Sequence, residues 1–153
     1  MSIPYKKILV TLDGSELAAQ ALPHAVELAR PHQATLTLLR VVPYISEEII
    51  AVDALPVDWQ NLEAEQARMV ATATNALEID AQRLRAQGIN VTVAVEVGHA
   101  ADRIVDYATT HEMDLIIIST HGRTGLQRWL MGSVAGKVAS AAPCPLLLVR
   151  ATE

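Results

Sequence analysis

Five short runs rich in Val, Ile, Leu and Thr recur along the chain, each separated from the next by a longer stretch whose apolar residues fall at helical spacing. The runs are Lys7 to Leu12, Ala34 to Val42, Asn90 to Val97, Asp114 to Ser119 and Pro145 to Arg150. Between them, Ser15 to Arg30, Trp59 to Gln87, Ala100 to His111 and Ser133 to Ala141 read as helices. Ser15 stands ready to cap the first, Gly88 stops the second and Pro143 follows the last. Strands that alternate with helices need a crossover between each pair, which predicts an α/β fold: a single open five-stranded parallel sheet with helices on both faces, Rossmann-like. Leu115 to Ile118, apolar on both sides, suits a central strand.

Composition narrows the class further. With 153 residues and 51% of them hydrophobic, the chain buries about two-thirds of its unfolded surface without disulfides or structural metal. The absence of repeats, low-complexity tracts or a break in composition predicts one domain over residues 1–153. A lone cysteine, Cys144, cannot pair within the chain or build a thiolate zinc cluster, and it reads as a small buried thiol. The expected compartment is therefore the reducing cytoplasm. No apolar run approaches the roughly 18 residues of a membrane span, and Met1 to Lys7 lacks a signal-peptide core, so no membrane association is expected.

The net charge of −5 argues against nucleic acid as a partner, but it conceals an asymmetry. From Leu115 to Thr152 there is no acid at all, and Arg123, Arg128, Lys137 and Arg150 give that segment +4. The rest of the chain carries −9. Either this end is simply an apolar strand with its flanks, or it receives an anion.

In a doubly wound sheet, ligands collect where strands end, which directs attention to residues 11–15, 41–43, 97–99 and 119–133. The first exit reads ThrLeuAspGlySer. Asp13 there can bind a ligand hydroxyl or amine, or a hydrated magnesium ion; alternatively Asp13 and Ser15 only cap the helix while Gly14 makes the turn. The fourth exit, SerThrHisGlyArgThrGly at 119–125 followed by Gly132 and Ser133, has the makings of an anion cradle. Gly122 and Gly125 allow close backbone approach, and the helix starting at Ser133 directs its free amides and positive dipole end to the same place. Ser133 bonds a phosphate or caps that helix. Arg123 neutralises phosphate charge, whereas Arg128 reads as a solvated or interface side chain.

Other phosphate and catalytic signatures fail. Gly132 to Lys137 resembles a Walker loop, yet three residues separate its glycines where four are required, and Val138 takes the Ser/Thr position. No dinucleotide fingerprint follows any strand, and no nucleophile elbow is present. The five histidines, at 24, 32, 99, 111 and 121, show no metal-binding spacing. His121, inside the glycine loop, fits backbone orientation or ribose contact better than general-base work. The long connection from 44 to 58, with four acids, is a flap or a plain linker.

From Tyr5 to Arg150 the chain resembles the universal stress protein family. The resemblance rests on LysIleLeuValThrLeuAspGlySerGlu at 7–16, LeuLeuArgValVal at 38–42, ValGlyHisAlaAlaAspArgIleVal at 97–105 and AspLeuIleIleIleSerThrHisGlyArgThrGly at 114–125, with GlySerVal at 132–134. ATP-binding members show Gly-x-x-Gly, nine residues, then Gly-Ser/Thr. Gly122, Gly132 and Ser133 keep that spacing, and Ser119 replaces the first glycine. Thr11 stands where some members have proline.

The resemblance implies that Thr11, Leu12, Asp13 and the backbone of Val41 frame an adenine ring. It implies Ser119 and His121 near the ribose, and Gly122, Arg123, Thr124, Gly125, Gly132, Ser133 and Val134 around the phosphates. It also implies Mg2+ or Mn2+ with the nucleotide, and a homodimer joined through the last strand, 145–150. The expected function is an ATP-binding regulator or sensor of the stress response, with ADP or AMP as alternative ligands. A nucleotide-free dimeric interaction module is the alternative that Ser119 favours. Hydrolysis, if any, is expected to be slow, since no P-loop lysine is present.

Overall fold

The computed structural model describes residues 5–45, 59–120 and 131–152. In chain order its elements are β1 (Lys7–Thr11), α1 (Glu16–Ala19), α2 (Ala21–His32), β2 (Thr35–Val42), α3 (Trp59–Ala86), β3 (Asn90–Val97), α4 (Ala100–Thr110), β4 (Leu115–Thr120), α5 (Ser133–Ala141) and β5 (Leu146–Arg150). All five strands are parallel, in the order β3-β2-β1-β4-β5. The expected α/β sheet is thus present, with one adjustment. β1 holds the centre, and β4, buried along Leu115 to Ile118, lies one place to its side.

Period-two alternation divides the core between the two faces. Ile8, Val10, Leu36, Leu38 and Ile117 pack against α2 and α3 through residues such as Ala25, Ala29, Leu77 and Ala81. Leu9, Leu39 and Ile116 pack the other way, against Ile104 and Ala108 of α4 and Val138 of α5. Each fully buried Leu or Ile stabilises the fold by about 2 kcal/mol. α1 and α2 leave β1 on the first face, while α5 leaves β4 on the second. The connections therefore part at the carboxyl ends of these adjacent strands, and a gap opens between them.

The helix expected over Ser15 to Arg30 is two helices, broken at Gln20. Pro23 supplies the reason: it has no N–H to offer the carbonyl of Ala19 four residues back, and its ring crowds that carbonyl. Ser15 caps α1 as expected, its hydroxyl accepting from the amide of Ala18 at 3.1 Å. At α5 the N-cap is Gly132 rather than Ser133, and no side chain caps that end. The stretch 46–58 lies outside the described residues, so the flap-or-linker question falls outside them too.

Two contacts fix the lower end of the sheet. The Asp114 carboxylate accepts from the amides of both Lys6 and Lys7, each at 2.9 Å. The Lys6 ammonium donates to the carbonyl of His32 at the end of α2, where a cation complements the helix dipole. The two open edges of the sheet differ in character. β3 carries Asn90, Thr92 and Glu96, whereas β5 presents Leu146, Leu147 and Leu148, the last 37% exposed.

Candidate functional site

A cleft of about 150 Å³ occupies the gap between the exits of β1 and β4. Its floor is apolar, made by Leu12, Leu39, Val41 and Ile118, with Ile104 of α4 behind and Leu17 of α1 in front. Such a lining receives the faces of a flat, weakly hydrated ring. Polar groups enter at the strand ends, from Thr11, Ser119 and Thr120, and at the start of α5. Asp13 is the one charged side chain among the described residues of the lining.

The turn after β1 is tightly specified. The Leu12 amide donates to the Leu39 carbonyl at 2.9 Å, which carries the β1–β2 pairing one residue past the strand. Asp13 Oδ1 then accepts from the Ser15 amide at 2.8 Å, and Gly14 takes φ +87°, a conformation that side-chain-bearing residues rarely adopt. Asp13 is thereby held at the cleft edge and exposed to solvent.

Across the gap, Ser119 is half-buried at the end of β4, and its hydroxyl donates to the carbonyl of Ala18 at 3.2 Å. This bond ties α1 to β4 and closes one side of the cleft. The far wall is the start of α5. The Gly136 amide is the first to bond back into the helix, to the Gly132 carbonyl at 2.9 Å. The amides of Ser133, Val134 and Ala135 precede that ladder, and all three residues line the cleft. Together with a dipole end equivalent to about half a positive charge, these are groups that can receive an anion.

Of the thirteen residues singled out from the sequence, Thr11, Leu12, Asp13, Val41, Ser119, Gly132, Ser133 and Val134 line this one cleft. His121, Gly122, Arg123, Thr124 and Gly125 lie outside the described residues. The exit at 97–99 is not part of the lining, although Ala100 next to it is. Leu17, Ala18, Leu39, Ala100, Ile104, Ile118, Thr120 and Ala135 also line the cleft and are not among the thirteen. Helical spacing marks Leu17 and Ile104 as buried, but only the topology says that what they face is a hollow and not solid core. No cluster of three potential metal ligands occurs among the described residues.

A second groove, of about 460 Å³, opens on the other side of Asp13 and Val41, beneath α3. Gln66 of α3 holds the chain there by accepting from the Ile45 amide at 2.9 Å and donating to the Pro43 carbonyl at 3.2 Å. Arg40 and Arg68 line it, and Arg68 is paired with Glu65 at 2.7 Å. No described helix is long and apolar enough to cross a membrane.

Comparison with known proteins extends these observations. Residues 4–150 match the universal stress protein family. The structure of MJ0577 from Methanocaldococcus jannaschii is similar with a TM-score of 0.80 and 29% identity, covering 99% of each chain. A universal stress protein solved in complex with cAMP has a TM-score of 0.68 and 21% identity over 98% of this chain and 100% of its own. One from Archaeoglobus fulgidus in complex with dAMP has a TM-score of 0.59 and 21% identity over 97% of this chain and 100% of its own.

Proposed function

Because the chain belongs to the universal stress protein family, we propose that the cleft between β1 and β4 binds an adenine nucleotide, ATP foremost, and that its occupancy sets the state of a cytoplasmic stress regulator. The observation that carries this reading is the pairing of an apolar floor with three uncapped amides at the start of α5 in a single cleft. A nucleotide has both matching parts, a flat ring and a chain of anionic oxygens. Two proteins of the same fold hold adenine mononucleotides, which supports the choice of base.

In this reading the ring lies over Leu12, Leu39 and Val41, and the phosphates reach the amides of Ser133, Val134 and Ala135. His121 serves the ribose in this reading, and Gly122, Arg123, Thr124 and Gly125 contribute to the phosphate shell. A divalent ion, Mg2+ or Mn2+, fits as a hydrated partner of the phosphates. One carboxylate, that of Asp13, suffices for an ion that keeps most of its water, and more ligands would be required for a dedicated protein cage. Bound there, the ion neutralises phosphate charge; Asp13 orients it or a sugar hydroxyl. Hydrolysis is slow at most in this reading, because the sequence supplies no P-loop lysine.

The chain works as a homodimer through β5, whose leucines form the apolar open edge. Calorimetry with ATP and magnesium tests the nucleotide assignment. Micromolar binding, competed by ADP and AMP and weakened in Gly132→Val, is expected; no heat and no competition overturns it. The second reading, a nucleotide-free interaction module, draws on the Ser119 hydroxyl being bonded to Ala18 within the protein. Mass spectrometry of the purified protein separates the two, since co-purifying nucleotide excludes the module.

A further inference from the structure

We propose that the groove beneath α3 is a binding site for a small organic carboxylate with a short apolar body, and that Arg40 is its counter-ion. This site is separate from the nucleotide cleft and stands without it.

Side chains alternate along β2, so Arg40 and Val42 leave the sheet on the face opposite to Leu39, which helps to floor the cleft. Between them and α3 lies the hollow of about 460 Å³, ample for a compact metabolite. Val42 and Ala73 are buried along it, and the half-buried thioether of Met69 adapts to the shape of what it meets. Gln66 holds the mouth through its bonds to the Pro43 carbonyl and the Ile45 amide.

Among the described residues, the half-buried Arg40 has neither a hydrogen-bond acceptor nor an acid within ion-pair distance. Its Nη1, Cζ and Nη2 stand 3.0, 3.1 and 3.1 Å from a β-carbon built on Gly14. Three nearly equal distances mean that the guanidinium turns its flat face to the glycine, and the N–H groups on its edge stay open to a ligand. A cation partly withdrawn from water and left unpaired is destabilising, and a bound anion relieves it. Arg68 adds a donor: its Nε and Nη2 both bond Glu65 Oε2, at 3.0 and 2.7 Å, and its Nη1 has no partner among the described residues.

Charge and shape select the ligand. Arg40 and Arg68 are matched in the lining by Asp13 and Glu65, so a doubly charged phosphate would meet two acids. A single carboxylate brings less charge past them and suits the guanidinium fork with two parallel N–H···O bonds. The α3 residues that line the groove, Glu65 to Ala73, come from the middle of the helix, so no free amides await a third oxygen. Val42, Met69 and Ala73 call for an apolar body behind the carboxylate.

Butyrate is the probe, titrated into the full chain at constant ionic strength while NMR follows the methyl signals of Val42 and Ala73 and the Arg40 Nε–H. Saturable shifts with a dissociation constant of about 1 mM are expected for a ligand of this size. Butyramide, of the same shape but neutral, is expected to bind at least about tenfold more weakly, having lost a charge-assisted pair. Arg40→Met, which keeps the apolar stem, is expected to lose butyrate to the same degree. Any one of four results overturns the proposal: no saturation by about 50 mM, equal affinity for butyramide, undiminished affinity in Arg40→Met, or tighter binding of inorganic phosphate at the same signals. The comparison of butyrate with butyramide uses wild type alone, so it decides the matter even where the variant does not fold. Binding of ATP, or its failure, bears only on the nucleotide reading.

Discussion

The guanidinium of Arg40 lies flat on Gly14, so close that a β-carbon built on the glycine would stand 3.0 Å from Arg40 Nη1. Strand β2 thus braces the turn that carries Asp13, and the turn can be braced only because residue 14 has no side chain. Gly14→Ala therefore meets two obstacles, the positive φ and the guanidinium. The first dominates, because the end of an arginine side chain moves readily. A loss of about 1–2 kcal/mol is expected from the left-handed backbone alone. Urea unfolding of Gly14→Ala with and without Arg40→Ala checks the division: the double variant should recover only a few tenths of a kcal/mol.

Ser133→Pro separates the anion receptor from the helix that bears it. Proline is favoured at the first helical position, and Gly132 already has φ −54° and ψ 153°, the conformation that a following proline demands. α5 should form as before, with thermal stability within about 1 °C of wild type, since no intrahelical bond uses that amide. One amide and one hydroxyl vanish from the cleft. ATP affinity is expected to fall about tenfold, as for loss of a hydrogen bond to a charged group. Calorimetry beside a melting curve measures both.

Leu148→Lys tests the open edge. A charge on an exposed edge strand opposes pairing with a second copy, whereas the same change on a solvated monomer surface costs within about 0.5 kcal/mol. Sedimentation is expected to show a dimer for the wild type and a monomer for the variant. An unchanged sedimentation coefficient would place the subunit contact, if there is one, elsewhere.

Cys144 gives a pH dependence. Partial burial, and to a lesser degree the Asp114 carboxylate, push its thiol above the ordinary range. The folded state then keeps a proton that the unfolded state releases near pH ~8.5. Since the folded state binds more protons there, stability falls as pH rises through that point, and the contribution is complete below it. Alkylation by iodoacetamide at pH 8 should be several-fold slower for the folded protein than in denaturant. Cys144→Ala should flatten the alkaline decline.

The strands were legible because a buried parallel sheet leaves dense β-branched and leucine runs, and the exits followed from the rule that ligands collect at their ends. Asp13, Ser119 and Ser133 could be placed in one neighbourhood from that alone. Strand order could not be read, since Ile8 to Val10 and Leu115 to Ile118 are equally apolar and only pairing tells which is central. The break after Ala19 was legible in principle: Pro23 announces it, but the apolar stripe running through Ala21 and Ala25 drew the helix as one piece. The direction of the Ser119 hydrogen was beyond reach, because its acceptor stands 101 positions away in sequence.

The cleft exists because two neighbouring strands send their connections to opposite sides of the sheet. Its emptiness is a property of the path the backbone takes, and side chains merely furnish it. Replacing Leu12 or Ile118 with another apolar residue changes the upholstery and leaves the room standing. Evolution can therefore refit this chamber for a new guest one wall at a time, without ever having to tear the building down.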